Sequence, residues 1–67
     1  MNIKTEFTGP ECDKFRALCN FTPDELAVFN LRVQGKSIVE ISMALSMSEA
    51  TVYRRQQGIK SKIHRVL

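Results

Sequence analysis

Sixty-seven residues hold one domain. A chain of this length buries only about 60% of its unfolded surface, which leaves no room for a catalytic cleft beside a separate binding module. A hydrophobic content of 43% with four phenylalanines suffices for one core and excludes a disordered chain, while no apolar run approaches the ~18 residues of a membrane span.

The segment Met1 to Glu6 lacks the apolar core of a secretory signal, so a cytoplasmic protein is expected. The first helix is expected from about Pro10 to Leu18, in an N-terminal extension spanning about residues 10–19. Pro10 suits a first turn, and Glu11 and Asp13 sit near the positive helix end. Its inward face is read as Cys12, Phe15, Leu18 and Cys19. The two cysteines stand seven apart, which is ~10.5 Å along a helix and beyond the ~7 Å between Cα atoms that a disulfide allows. With Phe15 they make an i, i+3, i+7 apolar stripe, so packing is their expected role. His64 is the only histidine, too few ligands for zinc; neither a metal nor a cofactor is expected.

The second helix begins at Thr22-Pro23-Asp24-Glu25: an N-cap, a first-turn proline and a capping-box glutamate in order. It carries Leu26, Val28, Phe29, Leu31 and Val33 and stops at Gly35, suited to a C-terminal cap. A third starts at Ser37, with Glu40 completing a second box, and ends near Leu45. The fourth is capped by Ser48 and meets no proline before Leu67. The apolar set Ile41, Leu45, Met47 and Val52, with small Ser42 in the first member, suits two short helices crossing at a fixed angle. That is a helix-turn-helix, whose second helix projects its outer face into the DNA major groove. In the last helix Val52, Ile59, Ile63 and Val66 share one face, and Glu49, Ala50, Tyr53, Arg54 and Gln57 the other. Gly58 marks a kink, a close backbone approach or the end of the recognition segment. The expected fold is all-α, a small four-helix bundle in one domain, 1–67, with Val28, Leu31, Ile41, Leu45, Val52 and Ile59 buried together.

Charge is segregated. The net +3 arises because residues Lys36 to Leu67 hold six Lys/Arg against Glu40 and Glu49, with no acid after Glu49. A basic run is commonly a solvated helix face; here it coincides with the second helix of the motif, the footprint expected for a polyanion. No nucleophile–base pair, P-loop or pocketed carboxylate pair is present, so no enzyme is expected.

Phe21 to Ile63 resembles the DNA-binding domain of the LuxR/GerE family of bacterial transcription regulators, to which region four of sigma factors is related. The residues that carry this are Thr22-Pro23-x-Glu25, Val28, Leu31, Gln34-Gly35-x-Ser37-x-x-Glu40-Ile41, Leu45, Ser48-Glu49-x-Thr51-Val52, Ile59 and Lys62. The resemblance implies base readout by Tyr53, Arg54 and Gln57. It implies phosphate contacts from Lys36, Ser37, Ser48, Thr51, Arg55 and Lys60. The chemistry fits: Arg reaches guanine O6 and N7, Gln pairs with adenine, and Tyr meets a thymine methyl or a phosphate. Capped helix starts offer N–H groups to phosphate oxygens. The chain departs from the family at Tyr53 (usually basic), Arg55 (usually histidine) and Ser46 (usually glycine), where a left-handed backbone costs serine more.

The expected function is sequence-specific binding of double-stranded DNA for transcriptional control. A homodimer is expected, because one short helix reads few base pairs. The family's dimer helix has no counterpart after Leu67, so the expected surface is the N-terminal helix or the end near Ile63, Val66 and Leu67. The alternative is a sigma-region-four-like or adaptor module that docks on RNA polymerase or another regulator, with the Cys12, Phe15, Leu18 face as its surface if the first helix does not close the core. No membrane partner is expected.

Overall fold

Every helix among the described residues starts where a hydroxyl can cap it. The computed structural model describes residues 7–67, and the sequence reading of residues 1–6 lies outside them. Among the described residues four helices follow one another, α1 (Gly9–Leu18), α2 (Pro23–Val33), α3 (Ile38–Leu45) and α4 (Glu49–Val66), and there is no strand. Thr8, Thr22, Ser37 and Ser48 are the N-caps, and the first three close reciprocal boxes with Glu11, Glu25 and Glu40. Helix α1 therefore begins at Gly9, ahead of Pro10, because Thr8 and Glu11 satisfy its first donors. Each such cap contributes about 1 kcal/mol, which matters for helices of ten, eleven and eight residues that are too short to persist alone.

The helix ends are equally local. After α2, Gly35 takes φ 89°. Its N–H donates to the Arg32 carbonyl, and that of Lys36 to the Leu31 carbonyl, at 2.9 and 3.0 Å, the paired bonds of a Schellman cap. After α3 the same work falls to Ser46, left-handed at φ 54°, ψ 42°. The N–H groups of Ser46 and Met47 both donate to the Ser42 carbonyl. A non-glycine residue there stores about 1–2 kcal/mol of strain.

The core lies where α1, α2 and α3 pack on α4. Phe29, Val28, Ile41, Val52, Ile59 and Ile63 are fully buried, and Cys12, Phe15 and Cys19 nearly so; full burial stabilises by about 1.5–3 kcal/mol per large aliphatic or aromatic side chain. Leu31, Leu45, Met47 and Val66 are half-buried at its edge. Phe7 meets Phe15 edge-on at 4.7 Å, and Phe21 tilts over Phe29 at 5.1 Å. Arg16 stitches α1 to α2: its guanidinium lies 5.3 Å from the Phe29 ring centre, and its Nε donates to Asn30 at 2.8 Å. Both cysteines are free thiols, and burial raises their pKa values, so they are packing residues of low reactivity.

Two sequence expectations need correction. Leu18 is 55% exposed: a residue six positions after Cys12 falls well off the i, i+3, i+7 stripe at 100° per residue. Ile63 is buried against the core, so the C-terminal surface expected to pair two copies is reduced to Val66 and Leu67.

Candidate nucleic-acid interface

The outward face of α4 follows from its buried one. Val52, Gln56, Ile59 and Ile63 point inward, which at 100° per residue leaves Ala50, Tyr53, Arg54, Gln57 and Ser61 directed outward. All five are exposed, Tyr53 by 56%. Tyr53, Arg54 and Gln57 thus form one patch about a turn long, beginning five residues past the cap at Ser48. Only Ser46, Met47 and Ser48 separate α3 from α4, and Met47 is half-buried against the core, which fixes that joint.

Among the residues expected at phosphates, Lys36, Ser37 and Ser48 are exposed, and Thr51, Arg55 and Lys60 half-buried. The cap hydroxyls are already engaged: Ser37 Oγ accepts the Glu40 N–H and Ser48 Oγ the Thr51 N–H, each at 3.1 Å. Ser48 also donates to the Thr51 hydroxyl at 2.9 Å. What each helix start offers an anion is therefore its next two N–H groups, those of Ile38 and Val39 and of Glu49 and Ala50, which a helix leaves unpaired. Glu40 and Glu49 oppose that attraction. The Glu40 carboxyl is held below the usual carboxylate range by the Ser37 N–H and hydroxyl, so it stays charged.

Folding partly neutralises the basic half. Arg55 faces α2, with Nε 3.6 Å from the Asp24 carboxylate; that nitrogen is covered and makes no hydrogen bond. Lys62 pairs with Glu25 at 2.5 Å. Burial alone would raise the Glu25 pKa, but the Lys62 bond and the Thr22 N–H outweigh it and hold the carboxyl below its ordinary value. Lys36, Arg54, Lys60 and Arg65 carry no ion pair among the described residues, and Arg54 stands inside the outward patch.

Two features escaped the sequence reading, and a third was left undecided by it. The pairs Asp24–Arg55 and Glu25–Lys62 join residues more than thirty positions apart, and no local spacing announces them. The outer side of α3 leaves Val39 and Met43 52% and 76% exposed; their i, i+4 spacing on the side away from Ile41 was the available signal. Gly58 proves to be a close backbone approach, since α4 runs through it unbroken and a Cβ there would collide with the Glu25 carboxylate.

Among the described residues no cluster of three or more His, Cys, Asp or Glu could hold a metal, and no helix is long and apolar enough to cross a membrane. No family model, curated protein or solved structure matches the chain.

Proposed function

We propose that this domain binds double-stranded DNA sequence-specifically and serves as a transcriptional regulator without catalytic activity, as a helix-turn-helix made of α3 and α4. The observation that carries the reading is the exposed Tyr53–Arg54–Gln57 patch on α4, immediately after the three-residue joint. It offers donors and acceptors suited to base edges on a helix of the diameter that fits a major groove. Lys36, Lys60 and the N–H groups behind Ser37 and Ser48 would reach phosphates, with Thr51 steadying the Ser48 cap. Arg55 would contribute from a guanidinium whose Nε stays beside Asp24. Two copies on half-sites about one helical turn apart would supply the length of sequence that one α4 cannot read.

Selection of bound duplexes from random DNA, followed by binding of Arg54→Ala and Lys60→Ala at several salt concentrations, tests this. Arg54→Ala should lose ~1–3 kcal/mol on the preferred site and flatten preference at one base pair; Lys60→Ala should weaken all duplexes alike with a salt slope about one unit shallower. Equal losses for Arg54→Ala on preferred and scrambled duplexes would remove it from the reading face. No enrichment in the selection would sink the proposal.

A second reading, a module that docks on RNA polymerase or another protein, draws support from the exposed Val39 and Met43 on α3. The face first considered for it is closed, because Cys12 and Phe15 are buried. Salt-independent capture of a protein partner that is lost in Met43→Lys, with no duplex binding, would favour it.

A further inference from the structure

Lys62 belongs to the basic C-terminal half, yet its ammonium turns inward. Its Nζ donates to the Glu25 carboxylate and, at 2.7 Å, to the backbone carbonyl of Asn20 in the α1–α2 link. The side chains of Lys62 and Glu25 are only 24% and 9% exposed. Glu25 is fixed from its own side, since its Oε1 also accepts the Thr22 N–H at 2.9 Å. Its Oε2 lies against Gly58 of α4, where any Cβ would intrude. Gly58 and Lys62 are an i, i+4 pair, one turn apart on the same side of α4. Asp24 engages Arg55 from the same first turn of α2. One flank of α4 is thus gripped over two turns by the start of α2, while its outer face carries Tyr53, Arg54 and Gln57.

The apolar core decides which face of α4 is buried, and this grip adds to it. Hydrophobic contact is non-directional, so Val52, Ile59 and Ile63 fix that α4 is buried more firmly than they fix its rotation. Hydrogen bonds to a nearly buried carboxylate carry angular preference. We infer that Glu25 and Lys62 are positioning residues: they set the rotation and tilt at which α4 presents Tyr53, Arg54 and Gln57, and Lys62 makes no phosphate contact. The inference rests on the DNA-binding reading for what is positioned, and on the geometry above for how.

Lys62→Met and Glu25→Gln test it, each compared with wild type below its own melting temperature. Should Lys62→Met not fold, Lys62→Gln, which keeps a donor for the Asn20 carbonyl, takes its place. Binding is measured to the preferred and to a scrambled duplex over a range of salt. Both variants should lose roughly tenfold in the preferred-to-scrambled ratio, the scale of one mismatched base pair, and Lys62→Met should keep the wild-type salt slope. Equal weakening on both duplexes with a slope shallower by about one would make Lys62 a phosphate contact and overturn the inference. An unchanged ratio with only a lower melting temperature would make the pair a stability element, and overturn it too. Residual dipolar couplings of α2 and α4 amides add a readout without DNA: the angle between the helices should change in both variants, beyond the scatter of repeated wild-type measurements. An unchanged angle refutes positioning. If wild type binds duplexes without preference, the functional reading falls, and the angle alone decides the positioning role.

Discussion

Replacing Gly58 by alanine should destabilise the domain, against the usual direction for a glycine inside a helix. On an open helix face the change would add about 1 kcal/mol. Here the new methyl would collide with the Glu25 Oε2 and lie 3.5 Å from its Cδ. The carboxylate has little room to retreat, because Oε1 is held by the Thr22 N–H at 2.9 Å and by Lys62 at 2.5 Å. Displacing it weakens a hydrogen bond to a charged group, a loss of about 1.5–3 kcal/mol that leaves a net destabilisation of about 0.5–2 kcal/mol. In a domain of this size that lowers the melting midpoint by roughly 2–16 °C, which far-UV circular dichroism resolves. Gly9→Ala is the control, since nothing lies within 4 Å of a Cβ there, and its midpoint should move little. In a Glu25→Ala background the obstruction is gone, and Gly58→Ala should turn stabilising. A raised midpoint for Gly58→Ala in the wild-type background would refute the close-approach reasoning.

Ser46→Gly should raise stability by up to about 1.5 kcal/mol, because relief of left-handed strain (about 1–2 kcal/mol) exceeds the added entropy of the unfolded chain (about 0.5–1); a lower thermal midpoint would contradict it. Acid should weaken the fold with a predictable sign. Glu25 and Glu40 titrate below the ordinary carboxylate value when folded, so the unfolded chain binds more protons in that window and stability rises with pH. The urea midpoint should be flat above about pH 5 and fall below it, less steeply in Glu25→Gln; identical profiles would exclude Glu25 as a source. Ile41→Ala should cost ~2–5 kcal/mol as a fully buried aliphatic. Leu45→Ala should cost less, since Leu45 is only half-buried, and equal losses in chemical denaturation would count against the packing described here.

What the sequence conveyed well was local. Thr22-Pro23-Asp24-Glu25 and Ser37 with Glu40 placed two helix starts to the residue, because a capping box is a contact three positions long. Gly35 marked the end of α2 for the same reason. The alternation along α4 separated Val52, Ile59 and Ile63 from Tyr53, Arg54 and Gln57 correctly, since helical periodicity reports orientation without knowledge of partners. Thr8 was passed over because Pro10 drew the boundary inward. Long-range electrostatics were not legible. Arg55 and Lys62 read as part of a uniform basic run, and only the fold shows that α2 brings Asp24 and Glu25 against them. The same gap left Gly58 undecided, because its reason for lacking a side chain lies on another helix.

Helix α4 is the member against which α1, α2 and α3 all rest, and at eighteen residues it is ~27 Å long, close to the 29 Å length of the domain. It is also translated after the other three. The first three helices leave the ribosome as short segments whose common support does not yet exist. They are therefore expected to stay unsettled until α4 follows, whereupon the whole domain forms in one event. A chain stalled before Val52 would display Phe15, Phe29 and Ile41 to the cell, making the unfinished protein a natural client for chaperones and proteases.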